Sequence, residues 1–199
     1  MKIDLHVHTQ ERSSCGKSSE EEQIRAAMAM GLDAIVFTDH DRLAPPGRLQ
    51  ELNNNYAPFK VFGGIEVSIG NEHLLVLGVH DYSLESCRWS YPALHRFVRE
   101  RGGFIAVAHP FRFNPDLQLD LEHFPPDALE GCSNNIAPQN NPRIWDLAER
   151  LGVPVLCNSD AHRTDTLGRY YNLLERTPTD ERELIEILKS GQYTCFSPE

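Results

Sequence analysis

The chain has 199 residues, 40% of them hydrophobic and 24% charged, with a formal net charge of −10. That length fits one domain with a sizeable core, and the acidic excess argues against a broad basic surface for gripping nucleic acid. No apolar run is long enough to span a bilayer, and Lys2, Asp4 and His6 open the chain in place of a signal-peptide core, so a single soluble, cytoplasmic domain over residues 1–199 is expected, with no membrane partner.

Ile3, Leu5 and Val7 alternate with Asp4, His6 and His8, which predicts a first strand whose two imidazoles share a face. A buried imidazole pair calls for a divalent metal, because neutral unpaired rings forfeit hydrogen bonds and charged ones repel. A polar loop over residues 10–18 follows, and Ser18 or Ser19 with Glu21 or Glu22 reads as a capping box opening a helix that stops at Gly31. DAIVFTDHD is a buried strand with a polar end, and Pro45-Pro46-Gly47 leads into a short helix around 49–53. FKVFGGIEVSI is the next strand. The Gly70-Asn71 reversal predicts that Val61–Ser68 and His73–Val79 run antiparallel.

Pro92 opens a helix reaching Arg101, ended by Gly102-Gly103. Strand FIAVAHP, a long polar loop to about Pro126 and the short strand DALEGCS come next. The remainder continues with a helix over 142–151, strands VPVLCNSDAH and YYNLLE, a helix over 180–189 closed by Gly191, and a final strand YTCF. This alternation indicates a mainly parallel sheet, open or closed into a barrel. Cys15, Cys87, Cys132, Cys157 and Cys195 are odd in number and never in CxxC spacing, which points to reduced, mostly buried thiols rather than a disulfide frame or zinc finger.

His8, His40, Glu66, His109, Asp160 and His162 each fall at or just beyond the C-terminal end of a predicted strand, the edge where parallel α/β sheets and barrels build their sites. His73 begins its strand, but the hairpin returns it to the same edge. With His6, this is more than one metal can take up while leaving room for substrate, so a cluster of ions is inferred; imidazole with carboxylate suits zinc, manganese or iron. Glu66, following a Gly-Gly turn, is placed to bridge two of them. Asp39 and Asp4 are expected to orient ligand imidazoles. Arg112, Arg163 and Arg169 sit in loops on the active edge as forked phosphate donors, with Arg12 a fourth candidate. His80, His95 and His123 are read as surface or capping residues, and Trp89 and Trp145 as helical core residues.

DLHVHT, TDHD, GIEV with His73, AHP and NSDAHR, in this order across nearly the whole chain, resemble the motif set of the PHP superfamily, named for polymerase and histidinol phosphatase. The resemblance implies a distorted, TIM-like seven-stranded β/α barrel, mainly parallel with one antiparallel hairpin, holding two or three divalent ions at the strand C-termini. It assigns His6, His8, Glu66 and Asp160 to one ion, Glu66, His73 and His109 to a second, and His40 and His162 to a third. Many members place a His or Asp in the loop after the first motif. Here that loop reads QERSSCGKS, leaving Glu11 as the replacement ligand and Cys15 as a poorer one. Glu130 and an asparagine of ALEGCSNN resemble residues that support the site.

The implied activity is a metal-dependent phosphoesterase, hydrolysing a small phosphorylated metabolite or nucleotide with a hydroxide bridging the ions. Three alternatives rank below it. A nuclease or phosphodiesterase is disfavoured by the acidic composition. An amidohydrolase lacks its mid-barrel lysine, since Lys60 begins a strand and Lys189 closes a helix. For a non-catalytic metal-binding module, only the loop after Thr9 shows any ligand decay.

Overall fold

β1 (Lys2–Val7) is enclosed on both faces, with Asp4 and His6 as buried as Ile3, Leu5 and Val7 in this computed structural model, which describes residues 1–86 and 88–198. Cys87, one of the expected reduced thiols, lies outside the described residues. Ser19 opens α1 (Glu20–Ala29) with the expected capping box: its Oγ accepts from Glu22 N, and Glu22 Oε2 accepts from Ser19 N at 2.8 Å. β2 (Ala34–Phe37) lies parallel to β1. α2 (Pro46–Asn55) starts on the second proline, earlier than expected, because proline's fixed φ suits a first helical turn.

β3 (Lys60–Ile69) continues parallel, then folds back into β4 (Glu72–Leu77) with Ser68 opposite His73. α3 (Tyr91–Glu100), β5 (Phe104–Ala108), β6 (Ala128–Cys132), α4 (Asn141–Leu151) and β7 (Val155–Cys157) follow. β8 (Tyr171–Leu174), α5 (Glu181–Ser190) and β9 (Tyr193–Phe196) complete the order.

The described residues form one sheet of nine strands ordered β7-β6-β5-β4-β3-β2-β1-β8-β9. All nine strands read from the sequence are present, two more than the seven-stranded barrel that the resemblance implied, with the β8–β9 hairpin attached beyond β1. Among β1 to β7 four of the six pairings are parallel, as expected; β4 runs antiparallel to both neighbours, and β8 and β9 add two further antiparallel pairings. A tight turn forces β4 antiparallel to β3 and hence to β5, and residues 158–170 carry no α-helix with which to cross over to a parallel β8.

The two sheet edges nearly meet. Asn172 of β8 binds both backbone groups of Cys157 on β7, and Cys195 Sγ of β9 lies 3.0 Å from Val155 O. Further up, Ala161 pairs with β1, accepting from His8 N at 2.9 Å and donating to His6 O at 3.2 Å. The result is a barrel-like α/β fold.

Ile3, Ala34, Leu77 and Phe104 lie at one end of their strands and share a buried cluster with Leu184, Ile187 and Leu188 of α5. That helix therefore stoppers the end where the parallel strands begin, leaving the opposite rim for chemistry. Gly78, at φ 73°, admits it closely, for a Cβ there would stand 2.7 Å from Ile185 Cγ1.

His80 Nε2, 2.6 Å from Glu181 Oε2, ties the same helix to the end of β4. Glu181 raises the ring's pKa above its ordinary 6.5 against opposition from burial. The pair therefore stabilises the fold below pH 6.5 and loses that contribution as pH rises through the raised value. We expect His80→Gln to lose about 0.5 kcal/mol at pH 6 and nearly nothing at high pH, read as urea midpoints at both; equal losses would remove the charge argument. Among the described residues, no helix is long and apolar enough to cross a membrane.

Candidate metal centre

Strand ends and the loops just past them converge on the open rim. His6 sits on β1 and His8 one residue past it, beyond a register shift in the pairing of β1 with β2. Their Nε2 atoms face each other at 3.0 Å. His40 extends β2 and bridges to Glu66, which lies inside β3 rather than at its end because the hairpin carries that strand on to Ile69. His73 enters from β4, His109 follows β5, and Asp160 and His162 follow β7. His109 (φ 28°) and Asp160 (φ 49°) are both held in the left-handed region, strain of the kind that functional sites retain.

Glu66 is the hub. Its Oε1 lies 2.9 Å from His73 Nδ1 and 2.9 Å from His109 Nε2. Its Oε2 lies 3.4 Å from His6 Nε2, 3.2 Å from His8 Nε2 and 3.0 Å from His40 Nδ1. Opposite, Asp160 Oδ1 lies 3.3 Å from His6 Nε2, 3.1 Å from His8 Nε2 and 3.5 Å from His162 Nδ1. Eight of the nine expected metal ligands are thus gathered. His6, His8 and Glu66 form a solvent-free floor, while His40 and His162, 30% and 23% exposed, mark the open side.

Buried Glu66 Oε2 and Asp160 Oδ1 accept no directed hydrogen bond although ring nitrogens crowd them. Orphaned buried carboxylate oxygens are costly, and a shell of lone pairs converging on them is the donor set of a cation site. The electrostatics agree. Burial disfavours charge on His8, yet Asp160 and Glu66 raise it to about 9. Burial likewise opposes charge on His6, and Asp160, Glu130 and Glu66 override it. Glu66 and Asp160 are held below the carboxylate range despite burial, chiefly by His6. The acids draw positive charge inward, and divalent ions meet that demand. The residues present therefore fit the metal cluster that the sequence suggested.

Three close donor groups stand out: His6, His8 and Asp160; His40, Glu66 and His73; and His8, Cys15, His40 and His162. His109 reaches the centre through Glu66 Oε1. Around them Glu130 is buried, its Oε1 accepting from His6 Nδ1 at 3.0 Å and Asn158 Nδ2 at 2.9 Å and its Oε2 from His109 N at 2.9 Å. Because a carboxylate only accepts, Glu130 places a proton on His6 Nδ1, leaving Nε2 as the nitrogen that would bind a cation at the centre. Asn135 Nδ2 donates to Asp160 Oδ2 at 2.7 Å. Ser13 Oγ lies 3.3 Å from His8 Nδ1 and accepts from His40 N at 2.9 Å.

Several expectations are corrected. Exposed Glu11 does not join the donor cluster; its carboxylate accepts from Glu20 N at 3.2 Å, at the start of α1, where the helix dipole favours an acid. Cys15 stands in the place foreseen for it. Asp39 hydrogen-bonds no imidazole among the described residues; its carboxylate accepts from Thr9 N, Thr9 Oγ1 and Arg12 Nε. Arg12 is spent on Asp39 and Glu20. Asp4 accepts from His6 N and Ser159 N instead of a ring, and burial pushes its carboxyl up to about 7.

Arg163 turns outward to Asp165, and Arg169 is exposed. Arg112 does reach the centre, with Nη1 3.3 Å from Asp160 Oδ2. His80, His95 and His123 engage Glu181, Pro125 O and Asp120, away from the rim. Trp145 lies on α4 as expected but is 48% exposed, whereas Trp89 packs against the core as expected but lies ahead of α3 rather than on a helix. Of the two asparagines in ALEGCSNN, Asn135 is the one that supports the site, while Ser13 escapes a sequence reading because nothing in the sequence separates it from Ser14 beside it.

The chain matches the PHP domain family over residues 4–120 and the PHP-associated family over residues 138–193. Among solved structures it is similar to a two-domain protein of Bacteroides vulgatus described as containing a predicted PHP-like metal-dependent phosphoesterase. The identity is 16% and the TM-score 0.72, over 99% of this chain and 64% of that one. It is similar to PsfC of Pseudomonas syringae at 19% identity and a TM-score of 0.72, over 99% of this chain and 91% of that one. An amidohydrolase of Chromobacterium violaceum with bound sulfate is similar at 18% identity and a TM-score of 0.68, over 98% of each chain. At these identities the likeness is one of fold. No curated protein matches the chain.

Proposed function

The chain belongs to the PHP domain family, and from that premise we propose that it is a metal-dependent phosphoesterase acting on a small phosphorylated metabolite or nucleotide. The observation that carries this reading is the Glu66 carboxylate shared by five imidazoles opposite Asp160. In it, His6, His8, Glu66 and Asp160 hold one divalent ion, Glu66, His73 and His109 a second, and His40 and His162 contribute to a third. Bound ions, whether zinc, manganese or iron, supply Lewis acidity that makes water a competent nucleophile near neutral pH and offsets charge building on phosphoryl oxygens.

The protein's own groups do the rest. Glu130 fixes the proton on His6 Nδ1 and anchors the backbone of His109, so the rings keep their aim. Arg112, 30% exposed and lying over the Phe113 ring at 4.8 Å, uses one nitrogen on Asp160. Its remaining N–H groups are free to fork onto a phosphate at the open side. The formal charge of −10 favours a small substrate over a polynucleotide. An amidohydrolase is among the similar folds, but a bridging-lysine amide hydrolase is disfavoured by the residues, since Lys60 is exposed at the start of β3 and Lys189 Nζ donates to Gly102 O.

The test is a phosphate-release screen over sugar phosphates, histidinol phosphate and nucleotides, run beside elemental analysis of the protein and repeated with His6→Ala. Release that requires both His6 and bound metal supports the proposal; amide turnover without phosphate release overturns it. Within that screen, Arg112→Ala is expected to raise KM by roughly ten-fold with a smaller change in kcat, as loss of a charge-assisted contact to a bound anion does. An unchanged KM would take Arg112 out of substrate binding.

A further inference from the structure

Cys15 and His162 belong to one donor group only, in which their ligand atoms and those of His8 and His40 all lie within 4.8 Å of one another. The loop bearing the thiol is built onto those same histidines. Lys17 N donates to His162 O at 2.8 Å, and Ser13 N donates to Thr9 O at 3.0 Å. The Ser13 hydroxyl accepts from His40 N and lies against His8 Nδ1. Gly16, next to Cys15, packs so closely that a Cβ would stand 2.4 Å from Thr9 O. The thiol is thus held among three imidazoles by contacts on both sides of it. The acid nearest in sequence, Glu11, is engaged at α1.

We propose that Cys15 is a thiolate ligand, making the third position of the metal centre a sulfur-and-imidazole site that selects zinc over manganese or magnesium. This rests on the metal centre proposed above. Thiolate is a soft donor that favours zinc and disfavours hard oxygen-seeking ions. The other two donor groups (His6, His8 and Asp160; His40, Glu66 and His73) offer only nitrogen and oxygen. The two parts of one centre therefore differ in the ions they retain. Binding at the third position releases the thiol proton to solvent as the sulfur–metal bond forms.

The test uses the full chain stripped of metal and titrated with cobalt(II), a spectroscopic stand-in for zinc. Thiolate-to-cobalt charge-transfer absorption in the near ultraviolet is expected in the parent protein and not in Cys15→Ser, whose bound cobalt falls by about one ion per chain while the rest remains. In the unaltered protein, zinc is expected to slow alkylation of Cys15 by iodoacetamide at least about ten-fold, read by peptide mass spectrometry, and magnesium is not. Absence of the absorption in a cobalt-loaded parent, its survival in Cys15→Ser, or alkylation indifferent to zinc overturns the proposal. A parent protein that binds no cobalt at all overturns the whole metal centre, a result distinguishable from loss of the third position alone.

Discussion

Glu66→Gln is expected to lower phosphate release by at least about a thousand-fold, or roughly 4 kcal/mol of transition-state stabilisation. The substitution keeps the shape of the side chain and removes its charge. Five imidazoles approach this one carboxylate at between 2.9 Å (His73, His109) and 3.4 Å (His6). An amide supplies one neutral acceptor where the centre needs an anion shared between ions. Metal content should fall together with turnover. A ligand that binds only the folded state stabilises it by about 2.7 kcal/mol at a hundred times its Kd, so chelation should lower the Tm of the parent protein and barely move that of Glu66→Gln. Retained metal with full turnover in the variant would show that Glu66 is only a packing partner of the rings.

Much of this centre could be read from the chain because its donors sit where regular structure puts them. Alternation along β1 aims His6 and His8 together, and the hairpin that pairs Ser68 with His73 is specified by the turn at Gly70. The Ser19–Glu22 box announces α1 in the same local way. What could not be read depends on contacts between segments far apart in sequence. Whether Glu11 or Cys15 joins the histidine cluster is decided by how residues 10–18 fold against His162 and Glu20, and no local pattern encodes that. Arg163 and Arg112 look alike as loop arginines, but Asp165, two residues on, captures the first while Asp160 draws in the second. The β8–β9 hairpin was visible as two strands; its attachment beyond β1 follows from tertiary pairing of Lys2 and Ile3 with Leu173 and Asn172.

That attachment leads to the second large expected effect. Asn172 is fully buried, and its amide closes the barrel. Oδ1 accepts from Cys157 N at 3.1 Å, while Nδ2 donates to Cys157 O at 2.9 Å and to Asn158 Oδ1 at 2.8 Å. Asn172→Leu would leave the N–H and C=O of buried Cys157 without these partners, each at about 1–3 kcal/mol. A loss of roughly 3 kcal/mol is therefore expected, visible as a Tm lower by roughly 6–12 °C and a reduced urea midpoint at unchanged slope.

The same amide begins a relay into the metal centre, because Asn158 Nδ2 donates to Glu130 Oε1, which holds His6 Nδ1. Turnover should accordingly fall by roughly 10-fold or more even well below the new Tm, since support behind ligands is worth that much. Asn172→Asp sharpens the test: it retains the acceptor for Cys157 N but turns a second acceptor against Cys157 O and Asn158 Oδ1, so it should be at least as destabilising as leucine despite its matching shape. If both variants matched the parent in stability and turnover, closure of the barrel and the aim of His6 would have to come from the backbone pairing of Ala161 with β1 alone.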